Sequence, residues 1–257
     1  MFDLPRLLAE TFIRRVEFQE KMPSTNDTAL RLASDESLET PLLVLTNRQT
    51  AGRGRGAHTW WSNEGALTFS LVGDFVHPLP QQHWPQISLV VGLAICETLE
   101  SLLPRHQVAV KWPNDVFLEQ KKVCGILIES PARPIGRKVI GIGVNVNNSF
   151  AEAPDELRSI ATSLVDIAQT TFYLTTVLAN ILVNLEKRLA DLQSGNPIAV
   201  ADWGSRCLLT DRAVTVSDGK RDITGVCRGI APDGALLIQT AHRLETIYSG
   251  VVKSFDR

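Results

Sequence analysis

The spacing of apolar residues changes once along this chain, and the change limits the folds open to it. Up to residue 204, helical spacing alternates with short apolar runs that are typical of strands. From Ala213 onward only short strand-like runs occur, separated by the hairpin-turn pairs Asp218-Gly219 and Asp233-Gly234. The sequence therefore predicts an α/β (α+β) domain over residues 1–204 and a small all-β barrel over residues 205–257.

The same patterns predict individual elements. A hydroxyl or Asx cap within Ser24–Asp27 opens a short helix that reaches Ala33. Apolar residues at helical spacing predict two longer helices, from Pro85 to Leu102 and from Thr171 to Leu192. Strands are expected at residues 42–46, 66–72, 108–111, 139–146, 214–216, 223–226, 235–238 and 245–248, with a hairpin over residues 116–128.

Composition excludes several classes of protein. A hydrophobic content of 44%, a charged content of 21% and a net charge of −2 are ordinary for a soluble globular protein and argue against a dominant nucleic-acid-binding surface. No apolar run is long enough to cross a bilayer, and Met1–Pro5 does not resemble a secretory signal. The four cysteines and five histidines show no metal-ligand spacing. We therefore expect a cytoplasmic protein with reduced thiols, no membrane contact and no metal held by the protein.

A segment of alternating glycine and arginine, Gly52 to Gly56, is the densest chemical signal in the chain, and Trp60 and Trp61 follow it closely. Glycine lets the backbone approach a ligand, and arginine presents a planar charged fork to carboxylate or phosphate. The tryptophans add flat apolar area on which a ring could lie. The segment predicts a loop that closes over a small anion. An RNA-binding Arg-Gly segment and a plain surface loop are the alternatives.

A second cluster, Lys111 to Asp115, is expected to form a fixed turn at the end of a strand, because Pro113 lacks an N–H and biases the residue before it away from helix. A lysine held there can contact a carboxylate and an α-phosphate together as one attacks the other. Asp115 can orient that lysine or accept a proton from an incoming amine. The alternative is a Trp-Pro turn with an exposed Lys/Asp pair.

Two further segments carry glycine or amide groups inside strands. Gly125 marks either a bulge in a core strand or a place where a ligand or another backbone comes close. The Gly141-Ile142-Gly143 sequence lacks the third glycine and the following helix of a dinucleotide fingerprint, so we reject a Rossmann site. Asn145, a polar amide among apolar residues, predicts contact with a base edge or a polar ligand, or else a hydrogen bond to a turn.

Taken in this order, the segments resemble the biotin protein ligases, also called biotin–[carboxylase] ligases. The resemblance spans nearly the whole chain, and the combination of the Gly-Arg loop with the Lys-Trp-Pro-Asn-Asp cluster is highly specific. The segments that carry it are Ser24-Thr25-Asn26, Gln49 with Gly52-Arg53-Gly54-Arg55 and Trp60, Lys111-Trp112-Pro113-Asn114-Asp115, Lys122-Val123-Cys124-Gly125-Ile126-Leu127, Gly141-Ile142-Gly143-Val144-Asn145 and Ala161-Thr162-Ser163-Leu164.

The resemblance implies a catalytic domain of the class II aminoacyl-tRNA-synthetase-like type, with a mixed sheet and flanking helices, followed by an SH3-like β-barrel. It implies that biotin and MgATP give biotinyl-5′-AMP and pyrophosphate. A lysine of a biotin carboxyl carrier domain, from acetyl-CoA carboxylase or a related biotin-dependent carboxylase, then displaces AMP. Mg²⁺ would arrive with ATP. Both a monomer and a homodimer stay open.

The resemblance also implies roles for individual residues. The biotin-binding residues would be Ser24, Thr25, Asn26, Gln49, Gly52, Arg53, Gly54, Arg55, Lys111, Gly125 and Leu127. The ATP- and adenylate-binding residues would be Arg53, Arg55, Trp60, Lys111 and Asn145. Lys111, Arg55 and Asp115 would be catalytic.

Two departures from the common bacterial pattern stand out. Ala57 and His58 occupy positions where that pattern has a glycine and a basic residue, so no role is assigned to His58. Met1–Pro23 is too short for a winged helix-turn-helix, and we expect a ligase that does not bind an operator or other nucleic acid. The competing hypotheses are a lipoate or octanoate ligase, a regulatory biotin- or nucleotide-binding module without catalysis, and an RNA-binding protein.

Overall fold

A mixed sheet of seven strands organises the N-terminal part of the computed structural model, which describes residues 2–74, 86–151, 153–194 and 200–256. The strands are β1 (Arg15–Met22), β2 (Leu42–Gln49), β3 (Leu67–Gly73), β4 (Val108–Lys111), β5 (Asp115–Leu118), β6 (Lys121–Glu129) and β7 (Lys138–Val144). Their order in the sheet is β1-β2-β3-β7-β6-β5-β4. Only β1 and β2 pair in parallel, and every other neighbouring pair is antiparallel.

Helices flank this sheet. They are α1 (Leu4–Glu10), α2 (Thr25–Ala33), α3 (Gln86–Leu102), α4 (Asp155–Ile160), α5 (Leu164–Ala168), α6 (Leu174–Gln193) and α7 (Val200–Arg206). Ser24 caps α2 as predicted, since its hydroxyl accepts a hydrogen bond from the Asp27 N–H at 3.4 Å. The apolar helix α3 packs between α6 and strands β4 to β6, which buries the main core. The described helices include none that is long and apolar enough to cross a membrane.

The C-terminal part is a five-stranded antiparallel sheet, which confirms its predicted all-β character. Its strands are β8 (Ala213–Ser217), β9 (Asp222–Ile230), β10 (Leu236–Gln239), β11 (Leu244–Ile247) and β12 (Val251–Phe255), in the order β11-β10-β9-β8-β12. Both predicted Asp-Gly pairs form turns, in which Gly219 and Gly234 have φ values of +90° and +89°. We call this unit the small sheet. The boundary at residue 204 stays a prediction.

The sequence patterns predict the long and apolar elements and miss the short or exposed ones. The predicted strands are confirmed to within a few residues, and the longest helix begins at Leu174 rather than Thr171. The missed elements are α1, β1, α4, α5, α7 and β12. β1 is an edge strand with mostly exposed or half-buried side chains, and α4 buries none of its residues, so neither shows a clear apolar period. Pro85 and Gly195–Pro197 lie outside the described residues.

The packing of α3 against α6 predicts a large stability difference between two adjacent residues of α6. Leu182 is fully buried, whereas Val183 is 48% exposed. Leu182→Ala should lower the free energy of unfolding by about 2–5 kcal/mol, because it removes buried area and leaves a cavity. Val183→Ala should change it by less than about 0.5 kcal/mol. Urea unfolding followed by circular dichroism measures both, and equal losses would contradict the predicted difference.

Candidate functional site

A cavity of about 750 Å³ lies on one face of the seven-stranded sheet, a volume typical of small-molecule sites. Its walls come from the start of α2, the Gly-Arg loop after β2, the β4–β5 hairpin, strands β6 and β7 and two turns of the small sheet. The predicted site residues that line it are Ser24, Thr25, Asn26, Gln49, Arg53, Gly54, Arg55, Trp60, Lys111, Asp115, Gly125 and Leu127. Two predicted residues, Gly52 and Asn145, are not part of the lining. The other predicted residues come from segments far apart in sequence, and the fold brings them to one cavity.

One end of the cavity is polar, and its side chains hydrogen-bond to one another. The Thr25 N–H and hydroxyl both donate to Gln49 Oε1, at 2.7 and 3.0 Å. The Ser70 hydroxyl lies 2.9 Å from Thr25 Oγ1 and 2.6 Å from Asn26 Oδ1. All four residues are buried, and their mutual hydrogen bonds fix the direction of each polar group. This end can therefore present donors and acceptors to a polar ligand with little rearrangement.

Asn26 reaches across the sheet from α2 to β6. Its amide nitrogen donates to the Leu127 carbonyl at 3.3 Å and to Glu129 Oε2 at 2.8 Å. A Cβ atom at Gly141 would overlap the Asn26 side chain, so glycine at that position makes room for this amide. The first glycine of the Gly-x-Gly sequence is thus explained by side-chain packing and not by a phosphate.

The Trp60 indole lies across a pair of glycines on the same face. Gly125 of β6 and Gly143 of β7 are directly opposite each other, and a Cβ atom at either would press on the Trp60 ring. The backbone N–H of Trp60 donates to the Gly52 carbonyl at 3.0 Å, and this bond holds the end of the loop next to its beginning. Trp60 Nε1 is buried and makes no hydrogen bond within the described part of the chain. The group close to Gly125 is therefore the Trp60 side chain, where the sequence predicted a ligand or another backbone.

The two predicted residues outside the lining have other surroundings. Gly52 is buried, and a Cβ atom there would lie 2.6 Å from the Trp60 carbonyl oxygen. Asn145 is 2% exposed, donates to the Thr162 carbonyl at 3.0 Å and accepts from Asn148 Nδ2 at 3.0 Å. These bonds match the alternative of an amide that stabilises a turn. A contact between Asn145 and adenine stays a prediction.

The β4–β5 hairpin fixes the Lys-Trp-Pro-Asn-Asp cluster as the sequence predicts. Lys111 and Asp115 are opposite each other in the hairpin, with the turn between them. Trp112 is 2% exposed, and its indole N–H donates to the Gly234 carbonyl of the small sheet at 3.4 Å. The Trp112–Pro113 peptide bond is cis. Packing of Trp112 therefore holds both charged residues at the cavity wall.

The charged groups of this hairpin do not pair with each other. Lys111 Nζ lies 5.0 Å from the Phe255 ring centroid and 5.7 Å from that of Phe117, within cation–π range. Asp115 Oδ1 lies 2.6 Å from Nζ of Lys122. Lys111 and Asp115 are both half-buried, unlike the exposed pair of the alternative, and the carboxylate contacts Lys122 where the prediction had it orient Lys111.

Lys122 is a site residue that the sequence prediction missed. Its ammonium group lies 6.0 Å from the Trp60 ring centroid and 3.4 Å from the position of a Cβ atom at Gly125. It lines the cavity between the indole and Asp115. The available signal was a cationic residue three positions before the glycine at which a close approach was already expected.

Arg53 is held by two carboxylates of the chain itself. Its Nη1 and Nη2 atoms bind Glu129 Oε1 and Oε2 at 3.1 and 2.7 Å, and Nη2 also lies 2.7 Å from Asp27 Oδ1. These contacts raise the pKa of Arg53 above its usual value, and the hydrogen bond to Glu129 is the largest cause. Glu129 was missed because it lies 76 residues from Arg53 in sequence. Contact of Arg53 with a bound anion stays a prediction.

Arg55 connects the Gly-Arg loop to the small sheet. Its Nη1 atom donates to the Gly250 carbonyl at 2.5 Å. The turns Ser217–Gly219 and Ser249–Val252 line the cavity on that side, and the sequence prediction did not include them. Ala57 and His58 also line the cavity and are exposed. The described residues include no group of three or more histidine, cysteine, aspartate or glutamate side chains suited to a metal ion.

Comparisons with known proteins identify the family. Residues 18–148 match the model of the biotin/lipoate A/B protein ligase family, and residues 210–253 match that of the biotin protein ligase C-terminal domain. The chain is 32% identical to the biotin–[acetyl-CoA-carboxylase] ligase of Mycobacterium tuberculosis, over 93% of this chain and 88% of the relative. It is 33% identical to the bifunctional ligase/repressor BirA of Bacillus spizizenii, over 96% of this chain and 76% of that protein.

Structural similarity agrees with these matches. The biotin protein ligase from Aquifex aeolicus in complex with biotin and ATP superimposes with a TM-score of 0.82 and 29% identity, over 95% of this chain and 99% of that chain. The chain belongs to the biotin/lipoate A/B protein ligase family. Within it, the matches extend through the C-terminal domain of the biotin protein ligases.

The contact between Trp60 and the paired glycines predicts opposite effects for two glycine substitutions. Gly143→Ala should displace the indole and destabilise the fold by about 1–3 kcal/mol, as overpacking does. Gly204→Ala in α7 meets nothing within 4 Å and should stabilise the fold by about 0.5–1 kcal/mol. Unfolding midpoints and the NMR resonance of the Trp60 indole N–H are the measurements. An unmoved Trp60 resonance in Gly143→Ala would contradict the packing role of Gly143.

Proposed function

We propose that this chain is a biotin protein ligase, which activates biotin with MgATP to biotinyl-5′-AMP and transfers it to a lysine of a biotin carboxyl carrier domain. The observation that carries the proposal is the single cavity on which the Gly-Arg loop, the β4–β5 hairpin and the glycines of β6 and β7 converge. The names of relatives that match over almost the whole chain add support.

The polar end of the cavity is proposed to bind the biotin ring system. Thr25, Asn26 and Gln49 offer buried hydrogen-bonding groups whose directions are already fixed. Gly125 and Leu127 line the adjoining wall and are proposed to offer backbone groups to biotin. Ser24 acts at this end by capping α2. A ligand with both polar and apolar parts fits such a lining.

Adenylation joins two anions, so the site must neutralise charge and hold the reactants in place. Lys122 and Lys111 are proposed to face the biotin carboxylate and the α-phosphate, with Asp115 orienting Lys122. A carboxylate oxygen attacks the α-phosphorus, the bond to pyrophosphate breaks, and the adenylate remains. Mg²⁺, bound to the triphosphate of ATP, would supply further positive charge.

The nucleotide is proposed to lie between Trp60 and the small sheet. The Trp60 ring presents a flat apolar surface next to Lys122. Arg53 and Arg55 would order the Gly-Arg loop over the adenylate, with Arg55 already bonded to the Gly250 carbonyl. Gly52 would contribute through the backbone of the loop, and Asn145 is proposed to contact the adenine. A loop that covers the intermediate protects the mixed anhydride from water.

Transfer is proposed to follow from the same arrangement. The acceptor lysine amine attacks the carbonyl carbon of the adenylate, the bond to the phosphate oxygen breaks, and AMP leaves as the amide forms. Asp115 is proposed to accept the proton that the amine loses. We place this reaction in the cytoplasm, with a carrier domain of acetyl-CoA carboxylase or a related biotin-dependent carboxylase as the acceptor.

Incubation with biotin, MgATP and a biotin carboxyl carrier domain tests the function directly. Intact-mass measurement should show one biotinyl addition to the carrier, dependent on ATP. Lipoate and octanoate with their own carrier domain form the matched control and should give no product at equal concentration. Modification of the lipoyl carrier alone would make the chain a lipoate ligase, and binding without transfer would make it a regulatory module.

Replacing either lysine of the cavity should slow adenylation. Lys122→Ala and Lys111→Ala should each lower biotin-dependent ATP–pyrophosphate exchange by about 10²–10³, the usual loss for one preorganised donor, while biotin binding stays measurable. Lys121→Ala, next to Lys122 on β6 but outside the cavity lining, is the control and should keep the wild-type rate. Near-normal exchange in Lys111→Ala would remove that residue from the catalytic set and leave the charge to Lys122.

Removing the Arg55 side chain should let the adenylate escape. Arg55→Gly loses the hydrogen bond to Gly250 and should release biotinyl-5′-AMP, so that lysines of a bystander protein become biotinylated. Arg14→Gly changes an exposed arginine outside the cavity lining and should not have this effect. Biotin blots of added serum albumin measure it. Equal retention of the intermediate in both variants would contradict a covering role for Arg55.

A further inference from the structure

Glu129 contacts two cavity residues without lining the cavity itself. It is the last residue of β6, and its side chain is 27% exposed. Its carboxylate binds the guanidinium of Arg53 through two oxygens and also binds the Asn26 amide at 2.8 Å. Asn26 and Arg53 both line the cavity. One carboxylate thus joins α2, β6 and the first arginine of the Gly-Arg loop.

The contact with Asn26 determines which way the amide faces. An ionised carboxylate only accepts hydrogen bonds, so the group pointing at Glu129 Oε2 must be the amide nitrogen. The Ser70 hydroxyl donates to the opposite atom, Oδ1, at 2.6 Å. With Glu129 and Ser70 on opposite sides, Asn26 has a single orientation toward the cavity.

The contact with Arg53 fixes the beginning of the loop. Two parallel N–H to oxygen bonds hold the guanidinium in one plane, which a single contact would not do. Asp27 adds one further contact from the side of α2, at 2.7 Å. Two backbone hydrogen bonds close the loop that follows. The Gly54 N–H donates to the His58 carbonyl at 2.7 Å, and the backbone N–H of Trp60 donates to the Gly52 carbonyl.

We propose that Glu129 is a positioning residue for biotin binding. Its carboxylate sets the Asn26 amide and tethers Arg53, so that the polar end of the cavity and the base of the Gly-Arg loop are held together before substrate arrives. The inference rests on the proposed function. Glu129 acts only through Asn26 and Arg53, so its loss weakens biotin binding and loosens the loop without removing the charges that promote adenylation.

The test uses Glu129→Gln, which keeps the size of the side chain and removes its charge. An amide can also donate, so Glu129→Gln removes the shorter of the two acceptor contacts that orient Asn26 and leaves only the 3.3 Å bond to the Leu127 carbonyl. The Kd for biotin, measured by calorimetry, and its KM should both rise by about tenfold, the cost of one hydrogen bond to a charged group. The kcat for adenylation at saturating biotin should stay within about twofold, a split that a general loss of structure would not give.

A second readout follows the loop. Hydrogen exchange at the Gly54 and Trp60 amides should become faster in Glu129→Gln, because the base of the loop is released. Asp27→Asn is the matched control, since it removes the other carboxylate on Arg53 and leaves both Glu129 contacts. It should change biotin affinity by less than about threefold, as is usual for a half-exposed ion pair.

A double-mutant cycle separates positioning from independent effects. The loss of biotin affinity in Asn26→Ala combined with Glu129→Gln should be smaller than the sum of the two single losses, because the part of the Glu129 effect that acts through the Asn26 amide is already lost in Asn26→Ala. Additive losses would contradict the inference. An unchanged Kd for biotin and unchanged hydrogen exchange at the loop amides in Glu129→Gln would also contradict it, provided that the wild-type enzyme biotinylates its carrier. A wild-type protein without that activity would instead refute the proposed function.

Arg53→Lys keeps the test decisive should Glu129→Gln fail to fold. Lysine retains the positive charge beside Glu129 and loses the two-pronged contact. We expect faster exchange at Gly54 and Trp60 in this variant, with an unfolding midpoint close to that of the wild type. Wild-type protection of both amides in Arg53→Lys would overturn the tether.

Discussion

The packing of Trp60 on two opposed glycines is the contact on which the rest of the site depends. Gly125 and Gly143 leave a flat patch on neighbouring strands, and the indole fills it. That contact brings the end of the Gly-Arg loop down onto the sheet and places the ring beside Lys122. A side chain at Gly143 would overlap the ring, and one at Gly125 would press on its edge, so either would disturb the path by which the loop returns and the cavity wall that the ring forms.

Sequence patterns predict much of this site because most of its residues lie in contiguous segments with unusual chemistry. The Gly-Arg loop and the β4–β5 hairpin could each be recognised from a few adjacent letters, and glycine within a strand drew attention to Gly125, where a side chain and not the predicted backbone or ligand comes close. The nature of that approach was not predictable. It depends on the tertiary contact of Trp60 with β6, and the local spacing of residues in the sequence carries no information about that contact.

The residues that were missed are recognised only by contacts that the folded chain creates. Glu129 looks like an ordinary strand-ending charge until Arg53, 76 residues earlier, is placed beside it. Lys122 and Lys111 are both cationic residues in promising segments, and only the geometry pairs Asp115 with Lys122. Short exposed elements such as β1 and α4 escaped detection for another reason, because without a buried face they carry no periodic signal.

The hydrogen bond from Arg55 to Gly250 has a genetic consequence. Its acceptor is a backbone carbonyl, which every amino acid carries, so no substitution at residue 250 deletes the acceptor itself. A new side chain there would instead meet the Ser217 carbonyl oxygen, 2.6 Å from the position of its Cβ atom. The two residues of this hydrogen bond therefore differ in how mutation can break it. A substitution at residue 55 can remove the donor group, whereas a substitution at residue 250 can break the bond only by displacing the backbone.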